Sequence, residues 1–142
     1  MNKKPLLLFL ILLMFFLGNI FTRNNKDSPV TAPSSTILAA WNNHTDNIQV
    51  SGSGRVIKLL PDDNRGTRHQ KFIVRIDKDL TVLVAHNIDL APRVKGLKKG
   101  DTISFYGEYE WNQKGGVIHW THRDPGRKHP DGWLQHNGKK YR

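Results

Sequence analysis

After residue 47 the chain falls into short runs in which apolar and polar residues alternate, the period-two pattern of half-buried strands. Ile48–Leu60 (IQVSGSGRVIKLL) is rich in β-branched residues, and Gly52 and Gly54 fall where a strand must bend or bulge. Lys71–Ile76 sets Phe72, Val74 and Ile76 on one face and Lys71, Ile73 and Arg75 on the other. Leu80–Ala85 is a third, shorter strand; Thr102–Trp111 is the fourth, and Val117–His122 the fifth. Pro61–Gly66, Asp77–Asp79 and Asn112–Gly116 are polar turn clusters. In the connection Asp89–Lys99, Pro92 and Gly96 allow one helical turn at most. Arg123–Arg142 has little periodicity and offers only Trp133 and Tyr141 as anchors. Ahead of the strands, Ser35 or Thr36 can cap a short helix through Ile37–Trp41 that lays Ile37, Leu38 and Trp41 against one end of the domain. The pattern predicts an all-β domain, a small barrel or sandwich, over residues 48–142.

The register of the last hairpin decides what faces out. A four-residue loop pairs Trp111 with Gly116, Tyr109 with Ile118 and Gly107 with Trp120. Phe105, Tyr109, Trp111, Ile118 and Trp120 then share the apolar face, and His119 points outward beside Glu108 and Glu110. A five-residue loop would put His119 next to Tyr109 instead. The first register keeps the large apolar groups together and is preferred.

The order of events, a Gly-bent first strand, a hairpin, Leu97-Lys98-Lys99-Gly100-Asp101 leading into strand four, then a long hairpin, is similar to the OB-fold. That resemblance implies a five-stranded, partly open barrel. A more specific resemblance lies in Gly52–Asp63, His69–Phe72, Val84–Arg93, Gly100–Asn112, Gly115–Pro125 and His129–Trp133. These blocks look like a family of short exported bacterial proteins catalogued as a domain of unknown function. The resemblance supports the domain limits, and it implies no reaction and no cofactor.

The N-terminal pattern is different in kind. Lys3 and Lys4 precede the unbroken apolar run Leu6–Leu17, which extends to Phe21. A charged start followed by an apolar core is an export signal, and its length approaches the lower limit of about 17 residues for crossing a bilayer. Cleavage signals are poor, because Phe16 and Ile20 are bulky and Val30-x-Ala32 is followed by Pro33. Residues 1–21 therefore read as a signal-anchor, with residues 4–21 in the inner membrane and the rest on the periplasmic side. Residues 22–47 read as a linker carrying the short helix.

Charge and composition add the candidate chemistry. Twenty-two Lys and Arg against twelve Asp and Glu give a net charge of +10, which predicts attraction to polyanions. The chain has no cysteine, excluding disulfides and thiolate chemistry, and no G-x-S-x-G motif. From Asn112 to Arg142, seven Lys or Arg stand against two Asp. Lys71, Arg93, Arg123, Arg127, Lys128, Lys139 and Lys140, with Trp133 as a stacking ring, are the candidate polyanion-binding residues, and nucleic acid is the leading partner. The second reading is a metal-dependent phosphodiesterase or nuclease. In it, His119, His122, Asp124 and His129 hold zinc, nickel or manganese, while Glu108 and His119 serve as the catalytic pair. On a regular strand His119 and His122 face opposite sides, so the second reading needs the strand to end or bulge near Thr121.

Overall fold

The computed structural model describes residues 33–142, with side chains from Thr36 onward. The expectations for residues 1–21 and for the first part of the linker lie outside the described residues. Among the described residues no helix is long and apolar enough to cross a membrane. The described residues form one helix and seven strands: α1 (Pro33–Asn42), β1 (Ile48–Asp63), β2 (His69–Arg75), β3 (Thr81–Asn87), β4 (Thr102–Glu110), β5 (Val117–His119), β6 (Trp133–His136) and β7 (Lys139–Tyr141).

All seven strands form one sheet in the order β1-β2-β3-β5-β4-β6-β7, and β1 also pairs with β4. That extra pairing closes β1, β2, β3, β5 and β4 into a ring. Its pairs are antiparallel except β3 with β5, which run parallel through Leu83↔Val117 and Val84↔Ile118. β1 serves two partners because it turns a corner. Ile48–Arg55 pairs with β4, and from Arg55 onward the strand pairs with β2. At the corner a Cβ on Gly54 would collide with the Arg75 carbonyl, so only a bare backbone allows the crossing. Two irregularities, at Val56/Lys58 and Leu60/Asp63, carry the strand past Pro61.

The interior follows the alternation. Phe72, Val74, Val84, Ile103, Phe105, Tyr109 and Ile118 are fully buried. The helix starts at Pro33, two residues before the expected cap; proline is favoured at a first helical position because its missing N–H would be unpaired anyway. It buries Ile37 and Ala40, with Leu38 and Trp41 packed alongside.

Two corrections concern the C-terminal third. The expected five strands are seven, because the tail forms the hairpin β6–β7 across Asn137-Gly138, both at positive φ (48° and 76°). That is the conformation a two-residue Asn-Gly loop favours. The fifth strand was expected to reach His122 and stops at His119, where Trp120 takes φ of 54°. Trp120 is consequently only half-buried and does not lie over Gly107 as expected. The backbone of His119 approaches the inward side of Gly107 instead.

Candidate functional site

The preferred hairpin register is the observed one: Tyr109 pairs with Ile118 and Glu108 with His119. On β4 the inward residues are Ile103, Phe105, Gly107 and Tyr109, leaving Ser104, Tyr106, Glu108 and Glu110 on the outer face. One edge of β4 is taken by β1. The other is shared in series, with β5 beside Glu108–Glu110 and β6 beside Ser104–Tyr106. Between β5 and β6 the chain leaves as a loop and returns.

Asp124 shapes that loop. Its carboxylate accepts hydrogen bonds from the backbone N–H groups of Gly126 (2.9 Å), Lys128 (2.7 Å) and His129 (2.8 Å), while its own N–H donates to Asp131 at 2.9 Å. The amides of Lys128, Gly126 and His129 hold the Asp124 carboxyl below its usual pKa. The folded-back loop places His129 Nε2 2.7 Å from Glu108 Oε2, with His129 Nδ1 2.9 Å from the Pro130 carbonyl. Burial opposes charging of His129. The Glu108 hydrogen bond, the Pro130 carbonyl and the charges of Glu108 and Asp124 outweigh it, so its pKa is raised. Trp120 stacks on the His129 ring at 4.0 Å and 14°, and its other close ring is His122 at 5.3 Å.

Glu108 thus stands between two imidazoles. Its Oε1 lies 3.3 Å from His119 Nε2, which is also 3.5 Å from Glu110 Oε1. Among the described residues, Glu108, Glu110 and His119 are the one set of three whose donor atoms lie close enough together to hold a metal ion. The expected set is not assembled. His119, His122, Asp124 and His129 do not converge: the Asp124 oxygens are taken by amides, and buried His122 places Nδ1 2.7 Å from the Arg123 carbonyl. Glu110 was missing from the expected ligands, although strand alternation puts it on the same face as Glu108.

A cavity of about 230 Å³ adjoins the cluster, lined by His69, Ala85, Asn87, Leu90, His119, Trp120 and His122. His69, His119 and His122 share its wall, and His86 does not line it. That ring faces inward on β3, fully buried, with Nδ1 2.8 Å from Thr121 Oγ1 and Nε2 3.1 Å from the Pro92 carbonyl.

Family comparison gives a clear match: residues 20–142 fit the model described as "Protein of unknown function (DUF3465)". The chain belongs to that family. No curated protein matches this DUF3465 chain.

The polyanion candidates of the DUF3465 chain divide into two regions. Lys71 and Arg93 line a groove of about 340 Å³ with Lys95, and Arg93 is ion-paired with Asp62. Arg123, Arg127, Lys128, Lys139 and Lys140 are exposed, and none makes an ion pair with a described residue. On the outer face, Tyr106 of β4 pairs in register with Trp133 of β6, their rings 6.4 Å apart. Lys140 of β7 sets its Nζ 4.4 Å above the Trp133 ring. This row continues the face that carries Glu108.

Proposed function

We propose that this DUF3465 chain is an exported, OB-like binding module for a polyanion, with nucleic acid as the leading ligand, anchored through residues 4–21 on the periplasmic side of the inner membrane. The observation that carries the reading is the row Tyr106–Trp133–Lys140, two rings and a cation on adjacent strands, in a chain whose C-terminal third also exposes Arg123, Arg127, Lys128 and Lys139. Rings stack on bases without regard to sequence, while cations follow the phosphates. The OB-like assignment draws support from the ring order β1-β2-β3-β5-β4 closed through β1–β4, with its single parallel pair. Trp133 is held under Lys140 by strand pairing, so little side-chain freedom remains to be lost on stacking.

The test is fluorescence anisotropy of a labelled single-stranded oligonucleotide titrated with the full-length chain in detergent over a salt series. Contacts to four or five phosphates predict a slope of about −3 in log K against log salt, at about −0.7 per phosphate. Lys139→Ala with Lys140→Ala should flatten the slope by about one unit, and Trp133→Ala should weaken binding at every salt concentration. Absence of binding at low salt, or a slope near zero, refutes the reading. The alternative, a metal-dependent phosphodiesterase, is favoured by the grouping of Glu108, Glu110 and His119. It predicts cleavage of the same oligonucleotide that stops with chelator.

A further inference from the structure

Glu108 and Glu110 are two positions apart on one strand, so both carboxylates leave the sheet on the same side. His119 stands directly opposite Glu108. Two like charges held side by side raise each other's energy unless a cation lies between them. His119 is the basic group that lies close to both carboxylates, yet its Nε2 is shielded from solvent and hydrogen-bonds to neither. An imidazolium donating to a carboxylate sits about 2.7–2.9 Å away. His129 does so, at 2.7 Å from Glu108 Oε2. His119 does not, at 3.3 Å and 3.5 Å from its two oxygens.

Those separations fit a different arrangement. Donor atoms bound to one ion at about 2.0–2.1 Å lie roughly 3.0 Å apart at right angles and roughly 3.4 Å apart at the tetrahedral angle. The spacing of His119 Nε2 from the two oxygens is close to the second value. We propose that Glu108, Glu110 and His119 bind one divalent first-row transition-metal ion through Oε1, Oε1 and Nε2. One imidazole with two carboxylates suits zinc, nickel or manganese better than calcium or magnesium, which take oxygen donors.

The surroundings supply what a bound carboxylate needs. His129 engages the second oxygen of Glu108 and is fixed through its other nitrogen by the Pro130 carbonyl. Groups in that position orient a ligand and set its basicity. Trp120 packs flat on His129 and restricts its rotation. Three protein donors leave coordination positions for water or an oxyanion, and His119 is also a wall of the 230 Å³ cavity. The site does not depend on the polyanion reading, since none of its three ligands belongs to the Tyr106–Trp133–Lys140 row.

Equilibrium dialysis of the full-length chain in detergent against Zn²⁺, followed by elemental analysis, tests the proposal. One equivalent per chain is expected. Glu110→Gln and His119→Asn should each weaken retention tenfold or more, and His129→Gln should weaken it by about 10–100-fold. Lys140→Ala should leave it unchanged. Glu110 is exposed, so its variant keeps the fold, which circular dichroism confirms before dialysis. Co²⁺ provides a second readout through a visible absorption band that both ligand variants should abolish. Failure of the wild type to retain metal, or equal retention by Glu110→Gln and His119→Asn, overturns the proposal. So does loss of retention only in His122→Asn, which would put the ion elsewhere. Chelator should strip the ion while leaving the salt slope of oligonucleotide binding intact, so the two readings fail independently.

Discussion

Acid should destabilise this fold through His86 as pH falls from about 6.5 towards 4. The Pro92 carbonyl can only accept, so Nε2 carries the proton and Nδ1 accepts from the Thr121 hydroxyl. The buried ring is neutral. Burial is the main reason that its pKa is lowered to about 4; the Pro92 carbonyl opposes this, and the charges of His122 and His69 add to it. An unfolded histidine titrates near 6.5, so between that value and about 4 the unfolded chain holds a proton that the folded one does not. Stability is therefore whole above pH 6.5 and falls as pH drops towards 4. A difference of about 2.5 units at 1.36 kcal/mol each amounts to about 3 kcal/mol. Small domains hold only about 5–15 kcal/mol in total.

The window isolates the effect. His129 has a raised pKa, so its contribution is fully present below 6.5 and constant there. The carboxyls of Asp63, Asp89, Asp101 and Asp124 are lowered, so their contributions are present above the ordinary carboxylate pKa and are lost as pH falls from there. Urea midpoints measured from about pH 6.5 to about pH 4.5 should fall steadily. His86→Gln should start lower and stay nearly level over the same range. A wild-type profile without slope, or the same slope in His86→Gln, refutes the argument, and a histidine NMR titration gives the folded pKa directly.

Other perturbations test the hairpin that carries the cluster. Tyr109 donates a buried hydrogen bond to the Gly115 carbonyl at 3.0 Å, so Tyr109→Phe should cost about 1–2 kcal/mol in urea denaturation. An unchanged midpoint would contradict the bond. At Gly107 an added Cβ meets the His119 carbonyl, and Gly107→Ala should cost about 1–3 kcal/mol while displacing β5 from β4. A variant as stable as the wild type would show that the backbone approach is looser than described.

How much could be read in advance depended on the range of the forces involved. The Tyr109–Ile118 register followed from apolar alternation, and it put His119 opposite Glu108 without further information. The contact between His129 and Glu108 was not legible, because it depends on Asp124 gathering three amides in a loop with no period. Trp120 read as core because alternation was carried three residues too far, past the point where the backbone turns to positive φ. The tail hairpin did have a local signal, Asn137-Gly138, between short stretches whose alternation is too brief to stand out. His86 and His119 have the same composition-level description. Their positions on the strands separate them: His86 follows Val82 and Val84 inward on β3, while His119 stands opposite Glu108 on the outer face.

The shared strand β1 has a kinetic consequence. Its partners on β4 lie roughly fifty to sixty residues away along the chain, from Arg55↔Thr102 to Ile48↔Tyr109, whereas Glu108 and His119 meet across a tight local turn. Closing long segments is slow, and nearby pairings form first. The Glu108–His119 arrangement should exist on a nascent hairpin before the seam is sewn, and until then the unsatisfied margins of β1 and β4 are the surfaces most exposed to pairing with another chain.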